Sequence, residues 1–534
     1  MMRVFGRAVS TLLATSQLMA ASIVAAPAIG RADDFAARAA RMLALGAVAK
    51  RSTGTVTDPK QNMYFAMARY AVGRTGDADA LANQVMDNLG ACAMFCALSV
   101  QFTYQKYRSV MPQALRQKMR NFLVAQSVAG GSTANHHIMY AAAAFLSSYT
   151  WPEAAGKRAA AKAEIERQVD HVLGGNMIED DSYIYTPFYL NAFLMLYEFS
   201  PDGLIRQKSK MALDFLLASS AAEHLQGLWA ASSLRNIAPR YNATDGVSMQ
   251  HAYLYFGSSY PYDNVSAETL PSAVSSYRPN AAIVAAATDR SQPYIHRELA
   301  RGAEWPLIAY KYTYMNRTYA IYSEHDGDQI KAWRDQYTRW GVLWPGGAFY
   351  LKQVVENGGG DTAYNQTMQH KVTILGVAVQ GLSTFKHGIT REIDVAGWQF
   401  MQGGNAVYIG YRPFGAGPRA WVVDTAAQAD YPSLEAYRDA VLTRTTVDGS
   451  RANEPAPRIA FTNRNGTPIE IVYSADKSKV DSPHFIYGKA VDYSVWPILE
   501  NLWMKGKPSS SLLTMTLGPR RWIYDRTAYT ITEE

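Results

Sequence analysis

Apolar residues recur about every 3.6 residues between Asp34 and roughly residue 310, a spacing typical of helices that bury one face. The pattern predicts helices over Phe35–Lys50, Gln61–Val72, Ala78–Gln105, Met111–Val128, Asn135–Ser148, Pro152–Leu173, Ser182–Phe199 and Leu204–Leu217. Short polar or glycine-containing breaks separate them. Many helices in series favour a helical toroid or solenoid, and no repeat of fixed period indicates a TPR or HEAT array.

After about residue 310 the chain changes to short stretches rich in β-branched and aromatic residues, bounded by Gly, Asn, Asp or Pro. They predict strands over Tyr319–Tyr322, Ala348–Val354, Lys371–Gly376, Ala406–Tyr411, Ala420–Val423, Arg458–Phe461, Ile469–Tyr473, Phe485–Tyr487, Leu512–Leu517 and Trp522–Tyr524. Many short strands with turns between them favour an antiparallel sandwich. The predicted fold is therefore α+β and multidomain, with an (α/α) toroid over residues 33–310 and an antiparallel β-sandwich over residues 311–534.

The first 32 residues predict an export signal. Arg3 and Arg7 supply a positive start, Val9–Ala26 is mostly apolar, and small residues up to Ala32 suit cleavage. The alternative is an amphipathic N-terminal helix of the folded protein. No other stretch has about 18 uninterrupted apolar residues, so we predict no transmembrane segment. The expected location is periplasmic or secreted, in a Gram-negative bacterium.

Composition and charge narrow the class of partner. A chain with 48% hydrophobic residues is neither disordered nor fibrous. The formal charge of +7 suits a polyanion, but loss of the signal removes three arginines and no acid and lowers it to +4. Basic residues form no stripe, which excludes nucleic acid as the expected partner. The 34 tyrosines suit either stacking on sugar rings or a large core.

Two cysteines, Cys92 and Cys96, lie one helical turn apart. A disulfide there would close a very small loop and constrain little, so we expect two buried free thiols and no metal site from this pair. The sequence also lacks a Walker motif, a dinucleotide-binding glycine motif, a Gly-x-Ser-x-Gly elbow and a His-Glu-x-x-His motif. We therefore predict neither a cofactor nor a metal.

The first candidate site is Asn135-His136-His137, which follows the loop Gly130–Ala134 at the start of an apolar helix. An asparagine amide offers two donors and a histidine can accept a proton, so such side chains at a helix start can converge on a ligand. The alternative is that Asn135 caps the helix and the histidines are solvated.

The second candidate is the acidic run Glu179–Asp181, followed by Tyr183, Tyr185 and Tyr189. Acids beside phenols suit the edge of a polar cleft, but acids also suit a helix N-terminus through its dipole. Asp180 and Asp181 would also serve as the acid and base of a glycosidase, although neighbouring side chains usually point apart.

The third candidate is the polar stretch from Ser232 to Tyr255. It holds Arg235, Arg240, Tyr241, Asn242, Asp245, His251, Tyr253 and Tyr255. A guanidinium is a natural clamp for a carboxylate, and a phenol beside it has a lower pKa that suits acid/base work. The alternative is an ordinary surface connection.

Four segments together resemble a known family. They are Asn135-His136 with the following helix, Asp181–Phe199, Tyr312–Tyr322, and Val491–Pro497 with Glu500-Asn501. In these segments the chain resembles the polysaccharide lyases built from an (α/α) toroid and an antiparallel β-sandwich. That group includes alginate, glucuronan, heparinase II/III-like and chondroitin AC-type enzymes.

The resemblance implies β-elimination on a uronic-acid polymer, with an acidic polysaccharide as the partner. Asn135, helped by Arg235 or Arg240, would disperse the charge of the substrate carboxylate. His136 or a tyrosinate would remove the C5 proton, and a tyrosine would protonate the leaving O4. Tyr241 is the first choice for that tyrosine, ahead of Tyr255 and Tyr189, since no single Arg-x-Tyr segment stands out.

The remaining polar residues of these segments are expected to bind substrate: His137, Tyr185, Tyr189, His251, Tyr253 and Tyr255. Two other functions stay open. One is a glycoside hydrolase on the same helical toroid that uses carboxylates among Glu179, Asp180, Asp181 and Asp245. The other is a glycan-binding envelope protein without catalytic activity.

Overall fold

The computed structural model describes residues 32–49, 58–90, 92–131, 133–177, 182, 185–232, 247–257, 264–301, 308–326, 339–353, 365–378, 382–415, 419–474 and 483–534. The predicted export signal therefore lies outside the described residues, apart from its last position. So do several candidate site residues: Glu179, Asp180, Asp181, Arg235, Arg240, Tyr241 and Asp245.

Helices dominate the described chain up to Thr288. They are α1 (Ala32–Val48), α2 (Pro59–Ala71), α3 (Thr75–Asp87), α4 (Ala93–Tyr107), α5 (Gln113–Ala125), α6 (Ala134–Thr150), α7 (Arg158–Gly174), α8 (Thr186–Phe199), α9 (Gly203–Ala222), α10 (Val247–Phe256), α11 (Leu270–Val274) and α12 (Ala281–Thr288). The prediction of one helix over Ala78–Gln105 is wrong, because the chain breaks between α3 and α4. Gly90, at φ +53°, lies in that break, where a residue without a side chain adopts the left-handed conformation easily.

The helices form two concentric rings. Helices α2, α4, α6 and α8 pack against one another in sequence, while α3, α5, α7 and α9 each pack on the outside against their neighbours. The inner helices are buried on nearly all sides; in α8 every residue from Thr186 to Leu196 is buried. A helix that is apolar all round suits such an enclosed position. Because inner and outer helices alternate as hairpins, the inner helices all run in the same direction.

A short segment around Glu268 closes the inner ring. The 3₁₀ turn Ala267–Thr269 and α11 pack against both α8 and α2. Asn191 of α8 donates its side-chain amide to the Glu268 carbonyl at 2.8 Å, and Gln61 of α2 donates to the Glu268 carboxyl at 2.9 Å. The ring is therefore a closed toroid, as predicted.

The strands belong mainly to the C-terminal half. They are β1 (Asn176–Met177), β2 (His224–Leu225), β3 (Leu228–Trp229), β4 (Tyr294–Arg301), β5 (Ile308–Met315), β6 (Ala320–Asp326), β7 (Trp340–Trp344), β8 (Gly347–Gln353), β9 (Asn365–His370), β10 (Thr373–Ala378), β11 (Leu382–His387), β12 (Ile389–Val395), β13 (Trp398–Gly403), β14 (Val407–Phe414), β15 (Ala420–Ala427), β16 (Thr446–Asp448), β17 (Arg458–Thr462), β18 (Pro468–Val472), β19 (His484–Ile486), β20 (Lys489–Ala490), β21 (Leu499–Glu500), β22 (Met504–Gly506), β23 (Leu512–Leu517), β24 (Arg520–Asp525) and β25 (Thr530–Glu533). One helix, α13 (Leu434–Arg444), lies among them.

These strands form three main sheets. The large sheet has the order β11-β8-β7-β6-β5-β4-β21-β22-β23-β24-β25, the middle sheet the order β12-β13-β14-β15-β10-β9, and the outer sheet the order β16-β17-β18-β19-β20. Apart from β1, which pairs with β4 in parallel, the pairs within these sheets are antiparallel. The large and middle sheets enclose one apolar core, and the middle sheet, the outer sheet and α13 enclose a second. The predicted antiparallel sandwich is confirmed, with a third layer added.

The boundary between the two halves differs from the prediction. Strand β4 begins at Tyr294, so the β half starts before residue 310. Its alternate residues His296 and Glu298 are polar yet fully buried, and this hides the strand from a search for apolar alternation.

The large sheet lies near the end of the toroid where the inner helices begin. Outer helix α7 starts beside the end of α6, where Arg158 donates to the Ser148 carbonyl at 2.7 Å, so α7 runs back and its C-terminus lies at the end where α6 begins. Strand β1 follows α7 directly and pairs with β4, Asn176 opposite Ala300. His171 near the end of α7 also bonds the Arg301 carbonyl at 2.6 Å. Within the described ranges, no helix combines the length and apolar character needed to cross a membrane.

Candidate active site

The N-termini of four inner helices meet around the ring of Phe95. Lys60 at the start of α2 places its ammonium 5.4 Å from the centre of the Phe95 ring. His136 of α6 makes an edge contact with the same ring at 5.6 Å, and Phe188 of α8 makes another at 4.8 Å. Each of these residues lies in the first turn of its helix. We call Lys60, Phe95, Asn135, His136 and Phe188 the helix mouth.

The direction of the inner helices gives the helix mouth a positive electrostatic character. The first N–H groups of a helix have no partner within the helix, and the aligned peptide dipoles add partial positive charge at that end. Here four such ends converge, and the Lys60 ammonium lies beside them, paired with the Asp58 carboxylate at 2.8 Å. This arrangement favours an anionic ligand.

Asn135 is the most deeply buried polar residue of the helix mouth, with no exposed surface. Thr133 donates its hydroxyl to the Asn135 amide oxygen. The Nδ2 amide group is buried and meets no acceptor among the described residues. Asn135 is not the helix cap, because Thr133 occupies that position. The capping alternative is therefore wrong, and the amide keeps two donors available for a ligand.

His136 is half-buried and its ring is held from two sides. Phe95 packs against it on one side, and Gly131 approaches it on the other. Gly131 has φ +85°, and a Cβ atom there would lie 2.3 Å from His136 Nδ1. A glycine is thus required at residue 131 both by the backbone conformation and by the imidazole.

His137 points away from the helix mouth. Its Nδ1 lies 3.7 Å from Glu164 of the outer helix α7. Successive residues on an α-helix are about 100° apart, and this rotation turns His137 toward α7. The role of His137 in substrate binding stays a prediction, and the structure gives it a structural partner.

Two of the predicted tyrosines lie at the start of α8. Tyr185 immediately precedes the helix and is half-buried; its backbone N–H donates to Ser182 Oγ at 3.1 Å. Its carbonyl accepts from Phe188 at 3.0 Å, which ties it to the helix mouth. Tyr189 follows Phe188, and only 1% of its surface is exposed. Tyr185 is therefore the more accessible phenol of the two.

The other predicted residues lie on α10. His251 and Tyr253 are both buried there, on a helix that packs against α8. Tyr255 packs against Phe35 at 5.7 Å and against Tyr277 at 6.0 Å. Burial raises the pKa of Tyr255 above its ordinary value. The structure thus places Tyr255 in the core between α10 and α1, among aromatic rings.

The expectation of two free thiols is wrong, because Cys92 and Cys96 form a disulfide with their Cα atoms 5.4 Å apart. Cys92 caps α4 and Cys96 lies one turn later, so the bond spans the first turn of that helix. Phe95 lies inside this turn. Sequence reasoning misses Phe95 because the predicted helix over Ala78–Gln105 runs through Cys92 and hides the start of α4.

One group of described side chains has the spacing that a metal ion requires. The ligand atoms of Glu223, His296 and Glu298 lie within 4.8 Å of one another, and all three residues are fully buried. Lys311 Nζ lies 3.1 Å from Glu223 and 4.0 Å from Glu298, and Ser219 donates to Glu298 at 2.8 Å.

Hydrogen bonds around His296 argue against metal binding there. The Trp503 N–H fixes Asn501 by donating to its Oδ1 at 2.9 Å, so Asn501 Nδ2 donates to His296 Nδ1 at 3.3 Å. The proton of His296 then lies on Nε2, which donates to Glu298 at 3.0 Å. A histidine that binds a metal through Nε2 has no proton on that nitrogen and donates a hydrogen bond from Nδ1 instead. Glu223, His296, Glu298 and Lys311 are better described as an ion-paired network joining α9 to the large sheet.

No protein-family model and no curated protein sequence matches the chain. Two solved structures that it resembles are a Streptomyces coelicolor A3 chondroitin AC lyase in complex with chondroitin sulphate and a mutant of heparan sulfate lyase HepC from Pedobacter heparinus. The first is 10% identical, with 92% of this chain and 88% of that chain covered and a TM-score of 0.29. The second is 9% identical, with 85% and 90% covered and a TM-score of 0.31. At scores this low, the assignment of fold and the proposal of an activity rest on the residues of this chain.

Proposed function

We propose that the protein is a polysaccharide lyase that cleaves a uronic-acid-containing polysaccharide by β-elimination. The observation that carries this proposal is the Asn135 amide, a buried donor without an acceptor among the described residues, at a point where four helix N-termini converge. Both features favour a carboxylate, which a uronic acid supplies.

The proposed reaction assigns one task to each kind of side chain. Asn135 donates to the C5 carboxylate and disperses the charge that develops on it as the C5–H bond breaks. His136 accepts the C5 proton, a C4–C5 double bond forms, and the C4–O4 bond breaks. A tyrosine gives its proton to the departing O4. Tyr241 remains the first choice for this acid, with Arg235 or Arg240 assisting Asn135, and Tyr185 is a half-buried phenol at the start of α8.

The described chemistry of the helix mouth favours elimination over hydrolysis. An amide donor and converging helix N-termini stabilise an anion, and an imidazole takes up a proton, as elimination requires. A glycosidase instead needs two carboxyls on opposite sides of the scissile bond. The acids proposed for that alternative, Glu179 to Asp181 and Asp245, lie outside the described residues.

We further propose that the protein works outside the cytoplasm, either in the periplasm or secreted. The predicted signal over residues 1–32 and the Cys92–Cys96 disulfide both support this location, since disulfides persist in oxidising compartments.

An absorbance screen tests the proposed function. The purified protein is incubated with a panel of uronic-acid polymers, including alginate, glucuronan and glycosaminoglycans, while near-ultraviolet absorbance is followed. Elimination creates an unsaturated uronate that absorbs there, whereas hydrolysis creates only reducing ends and a binding protein creates neither. We expect a rise with at least one polymer and its loss in Asn135→Ala and His136→Ala. Reducing ends without absorbance would overturn the lyase in favour of a hydrolase.

A further inference from the structure

We propose that the Cys92–Cys96 disulfide and Phe95 form a positioning device that holds the His136 imidazole in its working orientation. The inference rests on the proposed function, because it assigns a task to residues that support His136. Phe95 and the two cysteines are positioning residues, since they act through His136 and have no proposed contact with substrate.

The first turn of α4 needs an external constraint. Its cap residue Cys92 makes no side-chain capping hydrogen bond, and the backbone bond from Cys96 N–H to the Cys92 carbonyl is long, at 3.4 Å. Ala93 has φ +44°, a left-handed conformation that is unfavourable for a residue with a side chain. These three features weaken the turn, and the covalent bond between Cys92 and Cys96 reinforces its closure.

Phe95 transmits this constraint to the helix mouth. It lies between the two cysteines and is the ring that His136, Phe188 and Lys60 all contact. Gly131 bounds His136 on its other side, so the imidazole is held between a glycine and this ring. If the first turn of α4 opens, His136 loses the ring contact that Phe95 gives it.

The device makes the site sensitive to oxidation state. A dithiol such as dithiothreitol transfers two electrons and two protons to the Cys92–Cys96 bond, giving two thiols, and is itself oxidised to a cyclic disulfide. The proposal therefore predicts an enzyme that reaches full activity only after the disulfide forms. A small loop adds little to global stability, so its effect is expected at the site.

Two measurements on the full chain test the device. The first is the ring resonance of His136 in protein labelled at histidine carbons, assigned by its absence from His136→Gln. The second is kcat and KM on the polymer that responds in the absorbance screen. Both are recorded for the oxidised protein, for the protein reduced with dithiothreitol, and for Cys92→Ala/Cys96→Ala and Phe95→Leu. Phe95→Tyr, which keeps the ring, serves as the conservative variant.

Phe102→Leu is the matched control. Phe102 lies on the same helix and makes a comparable edge contact, with Phe199 at 5.4 Å, but it does not contact His136. We expect reduction, the double cysteine variant and Phe95→Leu each to move the His136 resonance and to lower kcat by about 10- to 100-fold, with KM little changed. Phe95→Tyr and Phe102→Leu should leave the resonance in place.

The two measurements separate this inference from the proposed function. If no polymer is cleaved but the His136 resonance still moves on reduction, the proposed function fails and the positioning device stands. An unmoved resonance in the reduced protein and in Phe95→Leu overturns the device, whatever the activity. If the double cysteine variant does not fold, the reduced protein and Phe95→Leu decide the matter.

Discussion

Asn135 and Asp214 are both fully buried polar residues on helices of the toroid, but their surroundings differ. Asp214 of α9 accepts from Tyr277 at 2.6 Å, from Tyr524 at 2.9 Å and from Lys210 at 2.6 Å. Tyr524 belongs to β24, so this carboxylate joins the toroid to the large sheet. Asn135 has only its oxygen engaged, and its amide donors meet no acceptor in the described chain.

The contrast indicates which buried polar groups hold the fold together and which are kept for a ligand. A buried group whose hydrogen bonds are all made contributes to stability, whereas an open donor costs free energy until something binds it. Asp214 fits the first case, and the proposed function assigns Asn135 to the second. Substitutions should therefore separate activity from stability at the two sites.

The largest effect is expected from Asn135→Ala. Removing a donor to the developing charge should lower kcat/KM by about 100- to 1000-fold. The melting temperature should change little, because loss of the Thr133 hydrogen bond offsets the removal of an unsatisfied donor. Initial rates in the absorbance assay and a thermal melt measure both quantities.

Asn191→Ala is the control, since Asn191 is equally buried but donates to the Glu268 carbonyl at 2.8 Å. It should lose about 1–3 kcal/mol of stability with a much smaller effect on rate. Equal rate losses in Asn135→Ala and Asn191→Ala would show that the rate does not depend on the open amide donor of Asn135.

Asp214→Ala should give the opposite result. The substitution leaves two buried phenols and the Lys210 ammonium without their shared acceptor, at a cost of about 3–5 kcal/mol in unfolding free energy. Asp214→Asn keeps an acceptor oxygen and should cost less. Denaturant unfolding checks the order of the two variants, and kcat/KM of the folded fraction should stay close to that of the unmodified protein. A selective loss of kcat at full stability would contradict the structural role.

The fold was more predictable than the site because its signals are local. Inner helices such as α8 are apolar on every side, and their period and length identify them directly. Strand β4 was not predicted because two of its buried positions hold His296 and Glu298 instead of apolar residues. These polar side chains are tolerated in the core because they belong to the ion-paired network. The break before α4 was not predicted because the helical spacing of apolar residues continues through it. The backbone at Gly90 nevertheless adopts a left-handed conformation, which ends the helical geometry.

Within the site, Asn135 and His136 were identifiable because polar side chains at the start of an apolar helix are unusual. Phe95, Phe188 and Lys60 were not, because they meet only when the toroid closes. No local pattern marks a residue whose neighbours are distant along the chain. The disulfide was misjudged for a related reason: its small loop does constrain little, but that loop holds Phe95.

Gly131→Ala should produce an intermediate effect on activity. The new Cβ atom would lie 2.3 Å from His136 Nδ1, so the imidazole must move, and kcat should fall by about tenfold or more. Gly73→Ala is the matched control, because Gly73 has a similar φ of +80° but nothing within 4 Å of its added Cβ. Both variants carry the backbone strain, of about 1 kcal/mol, and only Gly131→Ala should affect the rate. A similar rate in both would mean that the position of His136 does not limit the reaction.

The smallest expected effect concerns Glu268, which closes the toroid. Burial raises the pKa of this carboxyl above its ordinary value of 4.5. The folded protein therefore binds the proton more tightly than the unfolded chain. The resulting stabilisation is complete below pH 4.5 and is lost as pH rises through the higher folded pKa.

Glu268→Gln removes this dependence while leaving an oxygen to accept from Gln61. The free energy of unfolding of the variant relative to that of the unmodified protein should therefore rise as the pH increases above 4.5, which denaturant unfolding at a series of pH values measures. A pH-independent difference for Glu268→Gln would mean that the carboxyl is ionised equally in both states. Glu268 would then belong with Asp214, as a satisfied buried charge that holds the fold.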